Sequence, residues 1–125
     1  MKLKKSLVDV CKQFELYKGK EMDQIRVYLI ANLNVEDKET YREYEKGFFP
    51  ILKKHGGEFI TYDDSINHLE GSNPLQGRVV LFSFPSEKAA RNWYSDPDYQ
   101  ELSEYRREGA PLVSLTLVKG LSPRD

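Results

Sequence analysis

The stretch RVVLFSFPSEKAARNWYSDPDYQEL, residues 78–102, carries a strand pattern followed by two helix starts. Its opening run RVVLFSF is mainly aliphatic and aromatic, as is typical of a buried strand. Ser86 can cap a helix that carries the single Trp of the chain. Asp96-Pro97 repeats the start signal, because proline suits the first helical position, so a second helical segment should run to about Glu108. The stretch therefore predicts a strand and then a helix in two pieces.

The first half of the chain shows the same change from strand to helix. Apolar side chains alternate in RVYLIANLNV, residues 26–35, and this pattern predicts a strand. A helical spacing of apolar residues starts at Asp37 and ends at the Gly-Gly pair that begins at Gly56. Pro50 lies inside this pattern and lacks a backbone donor, so we expect a kink or a break near Gly47.

Two further segments complete the order of elements. GEFITYDD, residues 57–64, and INHLEG, residues 66–71, predict two short strand pieces joined by a turn, and GSNPLQG after them is a loop by composition. PLVSLTLVKG, residues 111–120, alternates again and predicts the last strand. The resulting order β-α-β-β-α-β predicts a ferredoxin-like α+β fold, in which an antiparallel sheet carries both helices on one face.

Length and composition favour a globular domain in a reducing compartment. The 125 residues include 39% hydrophobic and 12% aromatic residues, enough to build a core at this size. A net charge of −1 gives no electrostatic reason to expect nucleic acid or an acidic membrane as a partner. The single cysteine, Cys11, has no internal disulfide partner, and Asp9 and Lys12 interrupt any signal-peptide core. We therefore expect a cytoplasmic protein.

The first 24 residues are predicted to form an added helix. Their apolar residues recur at intervals of three and four, which places them on one helical stripe: Leu3, Leu7, Val10, Phe14 and Tyr17. We expect an N-terminal amphipathic extension at residues 1–24, a ferredoxin-like domain at residues 25–121 and a tail at residues 122–125.

The predicted sheet has a second face that the helices do not cover. A wholly solvated face rarely keeps many aliphatic side chains, so single-stranded RNA, a second copy of the sheet and a helix from the same chain are considered as coverings. This face mixes apolar and hydrogen-bonding groups: Tyr28, Ile30, Asn32, Asn34, Leu112, Ser114, Thr116 and Val118.

RNA is disfavoured by the residues that would have to bind it. The strand order is also that of the RNA-recognition motif, in which bases stack on aromatic side chains. Leu29, Val79 and Leu81 occupy the places that would need aromatic rings. The basic residues are also not in excess, so no nucleic acid partner is predicted.

The motifs HGGEF, LEG and RVVLFSFPSEKAARNWYSDPDYQEL, with Arg106 before the last strand, resemble the domain-of-unknown-function family thirteen-thirty. The resemblance covers roughly residues 26–120. It implies small ferredoxin-like proteins that pair into dimeric α/β barrels, and hence a homodimer whose mixed sheet faces meet around a shared interior. It implies no particular reaction, because related barrels include enzymes and simple binding modules.

Glu70 and His68 are the candidate catalytic residues. On a continuous strand they would leave the same face, and a carboxylate beside an imidazole can orient a base. The alternative is a strand-end pair that hydrogen-bonds the following loop. Arg106 is a candidate anchor for a carboxylate-bearing ligand; the alternatives are a buried ion pair with Glu70 and a surface salt bridge. A metal site made of His68, Glu70 and His55 would need three converging segments and is not predicted.

Aromatic and polar residues supply the other candidate ligand contacts. These are Trp93, Tyr94, Tyr99 and Tyr28, with Asn32, Ser114 and Thr116 as polar members. Core or dimer packing is the alternative for the rings. The sequence thus supports two hypotheses without a cofactor. One is a protein that binds a small, carboxylate-bearing molecule near the sheet face and dimer seam, and the other is a cofactor-independent enzyme that uses Glu70 and Arg106.

Overall fold

A computed structural model of the chain describes residues 25–122. The four strands form one antiparallel sheet, in which β2 (Glu58–Asp63) pairs with β3 (Arg78–Phe84), β3 with β1 (Val27–Leu33) and β1 with β4 (Leu112–Lys119). This arrangement confirms the predicted ferredoxin-like α+β fold, and the predicted N-terminal helix lies outside the described residues. The elements in chain order are β1 Val27–Leu33, α1 Lys38–Lys54, β2 Glu58–Asp63, β3 Arg78–Phe84, α2 Glu87–Ser95, α3 Pro97–Gly109 and β4 Leu112–Lys119.

The three helices lie against one face of the sheet. Alternate residues of β1 are buried on this side, as the strand pattern requires. The partner residues of β3 point the same way, and the core is completed by the apolar stripe of α1. The buried apolar residues are Val27, Leu29, Ala31, Leu33, Val80, Phe82, Phe84, Tyr41, Tyr44, Phe48 and Leu52, with Ala90, Trp93, Tyr99 and Ala110 from the other two helices and the residue that follows them. Among the described residues, no helix is long and apolar enough to cross a membrane.

The second helix is divided at Asp96, as the sequence predicts. Ser86 caps α2 by accepting a hydrogen bond from the backbone N–H of Ala89. Asp96 ends α2 and caps α3 by accepting from the N–H of Asp98 at 2.9 Å. The two helices therefore meet at an elbow whose bend is fixed by one carboxylate.

The Asp96 carboxylate also ties the elbow to the end of α1. Its Oδ2 lies 2.8 Å from Nε2 of His55 and 2.9 Å from Nζ of Lys54. The hydrogen bond from His55 and then that from Lys54 hold the pKa of Asp96 below its ordinary value, and the N–H of Asp98 acts in the same direction. The ionised carboxylate is therefore the form that the fold stabilises.

Rings from four elements form the centre of the core. Trp93 is 1% exposed, and its ring centroid lies 4.1 Å from that of Tyr99 on the next helix. It also packs at 5.3 Å against the rings of Phe82 and Phe84 and at 6.3 Å against Phe48 of α1. The indole Nε1 has no hydrogen-bond partner within residues 25–122, so packing holds this ring in place.

One local prediction is wrong, and the break expected in α1 is absent. INHLEG is not a strand, because β2 ends at Asp63 and the chain stays irregular until Arg78. The α1 helix also continues through Pro50 without a break. Gly47 is instead a contact point, where an added Cβ would lie 2.6 Å from a methyl group of Leu102 on α3.

Gly109 allows the end of α3 to approach the start of α1. Its carbonyl accepts hydrogen bonds from the N–H groups of Glu36 and Asp37 at 2.8 and 2.9 Å. A Cβ at this position would lie 2.8 Å from the backbone N of Tyr41 and 2.9 Å from the carbonyl O of Asp37. Backbone atoms cannot turn aside as a flexible side chain can, so only glycine fits this contact.

We therefore predict that Gly109→Ala destabilises the protein, although alanine favours helix by about 1 kcal/mol over glycine. The clash should outweigh that gain and cost about 1–3 kcal/mol, the usual range for overpacking. Urea unfolding followed by circular dichroism measures the change. Glu108→Ala, at the exposed neighbouring position, is the control and should change stability little. A Gly109→Ala protein more stable than the parent would contradict the close approach.

A second prediction concerns the pH dependence of stability at the elbow. Asn at position 96 can still cap α3 but cannot offer a negative charge to Lys54 and His55, so Asp96→Asn should lower the melting temperature at neutral pH. Since the pKa of Asp96 is lowered by folding, its contribution is complete above the ordinary value of 3.8 and is lost as the pH falls below it. The difference from the parent should therefore shrink at acid pH.

Thermal melts at about pH 7, 5 and 3 measure this trend. Asp98→Asn is the matched control, because the carboxylate of Asp98 is exposed and lies 3.6 Å from Lys54. It should have a smaller effect at every pH. A difference for Asp96→Asn that grows on acidification would show that the charge of Asp96 does not stabilise the elbow.

Candidate functional site

A cavity of about 170 Å³ lies between α1 and the side of the sheet that faces the helices. Its walls come from α1, α3 and all four strands, so it forms only when the helices pack on the sheet. The lining residues are Ala31, Leu33, Tyr41, Tyr44, Glu45, Phe48, Phe49, Phe59, Tyr62, Arg78, Val80, Phe82, Tyr99, Arg106 and Leu115.

Two tyrosine hydroxyls and one guanidinium supply the buried polar atoms of the cavity. The hydroxyls of Tyr44 and Tyr99 lie 2.8 Å apart and share a hydrogen bond. Arg106 is 4% exposed, and its Cζ lies 5.9 Å from the centroid of the Tyr44 ring. Tyr99 and Arg106 are two helical turns apart on α3, so both project from the same face toward the cavity.

Both buried hydroxyls are held in the protonated form. Burial raises the pKa of Tyr44 well above its ordinary value and also raises the pKa of Tyr99. The charge of Arg106 opposes both rises without reversing them. Each hydroxyl has one proton, and their mutual hydrogen bond uses one of the two. The pair therefore keeps one O–H donor for another acceptor.

The side chain of Arg106 is buried, and no carboxylate within residues 25–122 pairs with its guanidinium. Within residues 25–122 the salt bridges of the protein involve other cations, and the neighbouring Arg107 pairs with Glu104 at 2.8 Å instead. Burial of a charge is unfavourable unless an opposite charge or several hydrogen bonds compensate it. This cation is therefore available to an anion that enters the cavity.

A second arginine, Arg78, lies at the opening of the cavity and is already paired. It donates two hydrogen bonds to the carboxylate of Asp64, at 2.6 and 2.9 Å, and one to Glu45 at 3.3 Å. Its Cζ lies 4.4 Å from the ring centroid of Tyr62 and 5.5 Å from that of Tyr41. The hydrogen bonds from Arg78 lower the pKa of Asp64. Together with the bond to Glu45, they fix the end of the cavity where β3 begins.

The exposed part of the lining is aromatic. Phe49 of α1 is 48% exposed, and its ring centroid lies 5.3 Å from that of Phe59 on β2. Tyr62 is 51% exposed and lies 6.4 Å beyond Phe59. We call Phe49, Phe59 and Tyr62 the aromatic rim. The cavity thus opens to solvent between α1 and the edge strand β2.

Of the residues predicted from the sequence to bind a ligand, Arg106 and Tyr99 lie at the cavity. Trp93 lies directly behind Tyr99 in the core and does not line it. Tyr94 is 46% exposed on the outside of α2.

The other predicted ligand-binding residues lie on the opposite side of the sheet. Tyr28, Ser114 and Thr116 are exposed on the face that the helices leave uncovered. Asn32 also points to this face, but its side chain is buried. Its Nδ2 donates hydrogen bonds to the carbonyls of Gln76 and Arg78 at 2.6 and 3.0 Å. Its amide group therefore holds the segment that leads into β3.

Glu70 and His68 lie in the exposed connection between β2 and β3. His68 uses its Nε2 in a 2.6 Å contact with the carbonyl of Gly71, and neither side chain lines the cavity. The sequence-based pairing of the two residues required a strand that places both side chains on one face. The structure has no strand at these positions. Among the residues described, no three His, Cys, Asp or Glu side chains are grouped so as to hold a metal ion.

Sequence reasoning missed Tyr44 and Arg78 as members of the site. The helical stripe of Tyr41, Tyr44 and Phe48 was visible, but its spacing indicates only that these rings face inward. A buried tyrosine needs a partner for its hydroxyl, and this requirement was the available signal. Arg78 gave no signal, because its place at the start of a strand is typical of an exposed charge.

Known structures with this fold include proteins of unknown function and an enzyme. RPA0582, a protein of unknown function from Rhodopseudomonas palustris, is 17% identical, with a TM-score of 0.59 over 91% of this chain and 93% of its own. SnoaB, a cofactor-independent oxygenase from Streptomyces nogalater, is 12% identical, with a TM-score of 0.54 over 81% of this chain and 95% of its own. At these identities the similarity shows the fold alone.

The family assignment rests on a match across most of the domain. None of the curated proteins matches this chain. The family model described as a domain of unknown function, DUF1330, matches residues 26–121, which include every described helix and strand. The chain therefore belongs to the DUF1330 family.

Proposed function

We propose that the protein binds a small molecule with a carboxylate group in the cavity between α1 and the sheet, and that it does so as a homodimer in the cytoplasm. The observation that carries the proposal is the buried guanidinium of Arg106, which has no carboxylate partner among the described residues. A ligand carboxylate would supply the missing negative charge.

The donors around Arg106 suit an anionic oxygen better than a neutral group. A guanidinium has five N–H donors and no acceptor. The Tyr44 and Tyr99 pair adds one further O–H donor beside it. Hydrogen bonds between charged partners are stronger than neutral ones, particularly in a site shielded from water. Anchoring by Arg106 is thus the expected source of both affinity and orientation.

The enzymatic alternative has less support from the geometry. It assigned acid or base chemistry to Glu70, which is exposed and does not line the cavity. Burial raises the pKa of Tyr44 and Tyr99, so their hydroxyls stay protonated at neutral pH and do not act as bases. SnoaB is an oxygenase that works without a cofactor, but its similarity to this chain concerns the fold. Binding without turnover therefore requires fewer assumptions.

The homodimer is proposed from the uncovered face of the sheet. Ile30, Val79 and Leu81 are half-buried there, while Tyr28 and Val118 are 37% and 43% exposed. An apolar patch on a sheet face usually marks a contact with another molecule. A second copy is the partner that best fits such a face.

We predict that Arg106→Met abolishes carboxylate binding without lowering stability. Methionine preserves much of the length of the side chain and removes a buried charge, so the melting temperature should stay the same or rise. Emission from the single Trp reports binding, because its ring contacts Tyr99, which lines the cavity. Propionate, hexanoate and benzoate, each at millimolar concentration, are the probes.

Arg107→Met is the matched control on the same helix. Arg107 is exposed and pairs with Glu104 and Gln100, so its removal should leave probe binding intact. If none of the probes binds the parent protein, the proposed function fails. A large loss of stability in Arg106→Met would mean instead that Arg106 has a structural role.

The dimer gives a separate prediction. Analytical ultracentrifugation at micromolar concentration should show two copies of the parent chain, and Leu81→Lys should show one, because a lysine in the middle of the uncovered face places like charges together. Tyr105→Lys changes an exposed ring on α3, away from this face, and should leave the dimer intact. A monomeric parent protein would refute the homodimer.

A further inference from the structure

We infer that the ligand is an aromatic carboxylate with one ring, bound as the anion, with its ring between α1 and the sheet and its carboxylate at Arg106. This inference rests on the proposed function and narrows it to one class of molecule. The size of the cavity, the composition of its walls and the state of its polar groups support it independently.

Size limits the ligand to about one ring. The cavity is about 170 Å³. An engineered protein cavity of about 150 Å³ lined by aliphatic and aromatic residues accepts benzene, so this space is sufficient for a ring with a small substituent. Most drug-sized molecules occupy pockets of about 300 Å³ or more. A fused two-ring acid would need the walls to move.

The walls favour an aromatic ring over an aliphatic chain. Eight of the fifteen lining residues are aromatic. Several of the rings already pack edge to face, including Phe48 on Phe82 with centroids 5.3 Å apart and an angle of 87°. A flat ring can join this arrangement by presenting its edge to one neighbour and its face to another. A flexible chain would gain less and would lose conformational entropy on binding.

The polar atoms lie together at one region of the cavity wall. Arg106 lies near the ring of Tyr44, whose hydroxyl contacts that of Tyr99. The other arginine, Arg78, is occupied by Asp64 and Glu45. One cation without a carboxylate partner among residues 25–122, together with one spare hydroxyl donor, matches one carboxylate. A dianion would leave its second charge without a partner among these groups.

The aromatic rim offers a path by which a ring can enter. Its members Phe49, Phe59 and Tyr62 are exposed and lie in sequence along the opening. Outside a binding site, three neighbouring exposed rings beside an edge strand would be a liability for aggregation. A planar ligand can approach the cavity along these exposed rings.

The experiment compares five probes by isothermal titration at neutral pH: benzoate, cyclohexanecarboxylate, hexanoate, benzamide and 2-naphthoate. We expect benzoate to bind tightest. Loss of the aromatic ring in cyclohexanecarboxylate or hexanoate should weaken binding roughly two- to tenfold, as a lost aromatic pair does. Loss of the charge in benzamide should weaken it at least about tenfold. 2-Naphthoate should bind weakly or not at all.

Variants separate the two parts of the inference. Phe48→Leu keeps an apolar wall but removes a ring, so it should reduce the preference for benzoate over hexanoate while both still bind. Replacing both Tyr44 and Tyr99 by Phe removes the spare hydroxyl donor together with the bond between the two hydroxyls, and should weaken all carboxylates while the ring preference remains. Leu121→Ala, at an exposed residue after β4, is the control and should change neither.

The outcomes distinguish this inference from the proposed function. If hexanoate or cyclohexanecarboxylate binds as tightly as benzoate, the ring preference is refuted and carboxylate binding stands. If benzamide matches benzoate, or 2-naphthoate binds equally well, the single-ring anion is refuted. If no carboxylate binds, the proposed function fails and this inference fails with it.

Discussion

The contact between the rings of Trp93 and Tyr99, with centroids 4.1 Å apart, joins the two halves of the bent helix to the sheet. Trp93 lies on α2 and packs on Phe82 and Phe84 of the sheet, while Tyr99 lies on α3 and reaches the cavity. The bend at Asp96 makes this contact possible, because a straight helix would carry Tyr99 away. The position of Arg106, two turns further along α3, follows from the same bend.

The cavity combines an aromatic core with one buried charge. Aromatic burial provides much of the hydrophobic stabilisation of a domain of this size. A guanidinium without a carboxylate opposes it, since desolvation of a charge is costly. Proteins commonly retain such unfavourable groups at functional sites, where stability has been exchanged for binding. Arg78 lines the same cavity but is paired with Asp64 and Glu45. Of the two arginines, Arg106 is therefore the better candidate to bind an anion.

The two faces of the sheet differ in what they contact. The face toward the helices holds the core and the cavity, whereas the uncovered face mixes half-buried aliphatic residues with exposed polar ones. Candidate residues predicted from the sequence were spread over both faces, because strand alternation gives two faces without saying which one encloses a cavity. Among residues 25–122, only the helix side has a second layer that can close around a ligand.

The sequence by itself determined the order of the elements, the caps at Ser86 and Asp96 and the two-piece helix, because these depend on interactions between residues a few positions apart. It failed at INHLEG, residues 66–71. Two apolar residues, Ile66 and Leu69, suggested a strand there, but no strand of the described sheet pairs with this segment. Tertiary structure alone decided that Tyr44 meets Tyr99 and that, within residues 25–122, Arg106 has no carboxylate partner while Arg78 has two. These facts depend on distances between residues far apart in the chain, which local periodicity does not encode.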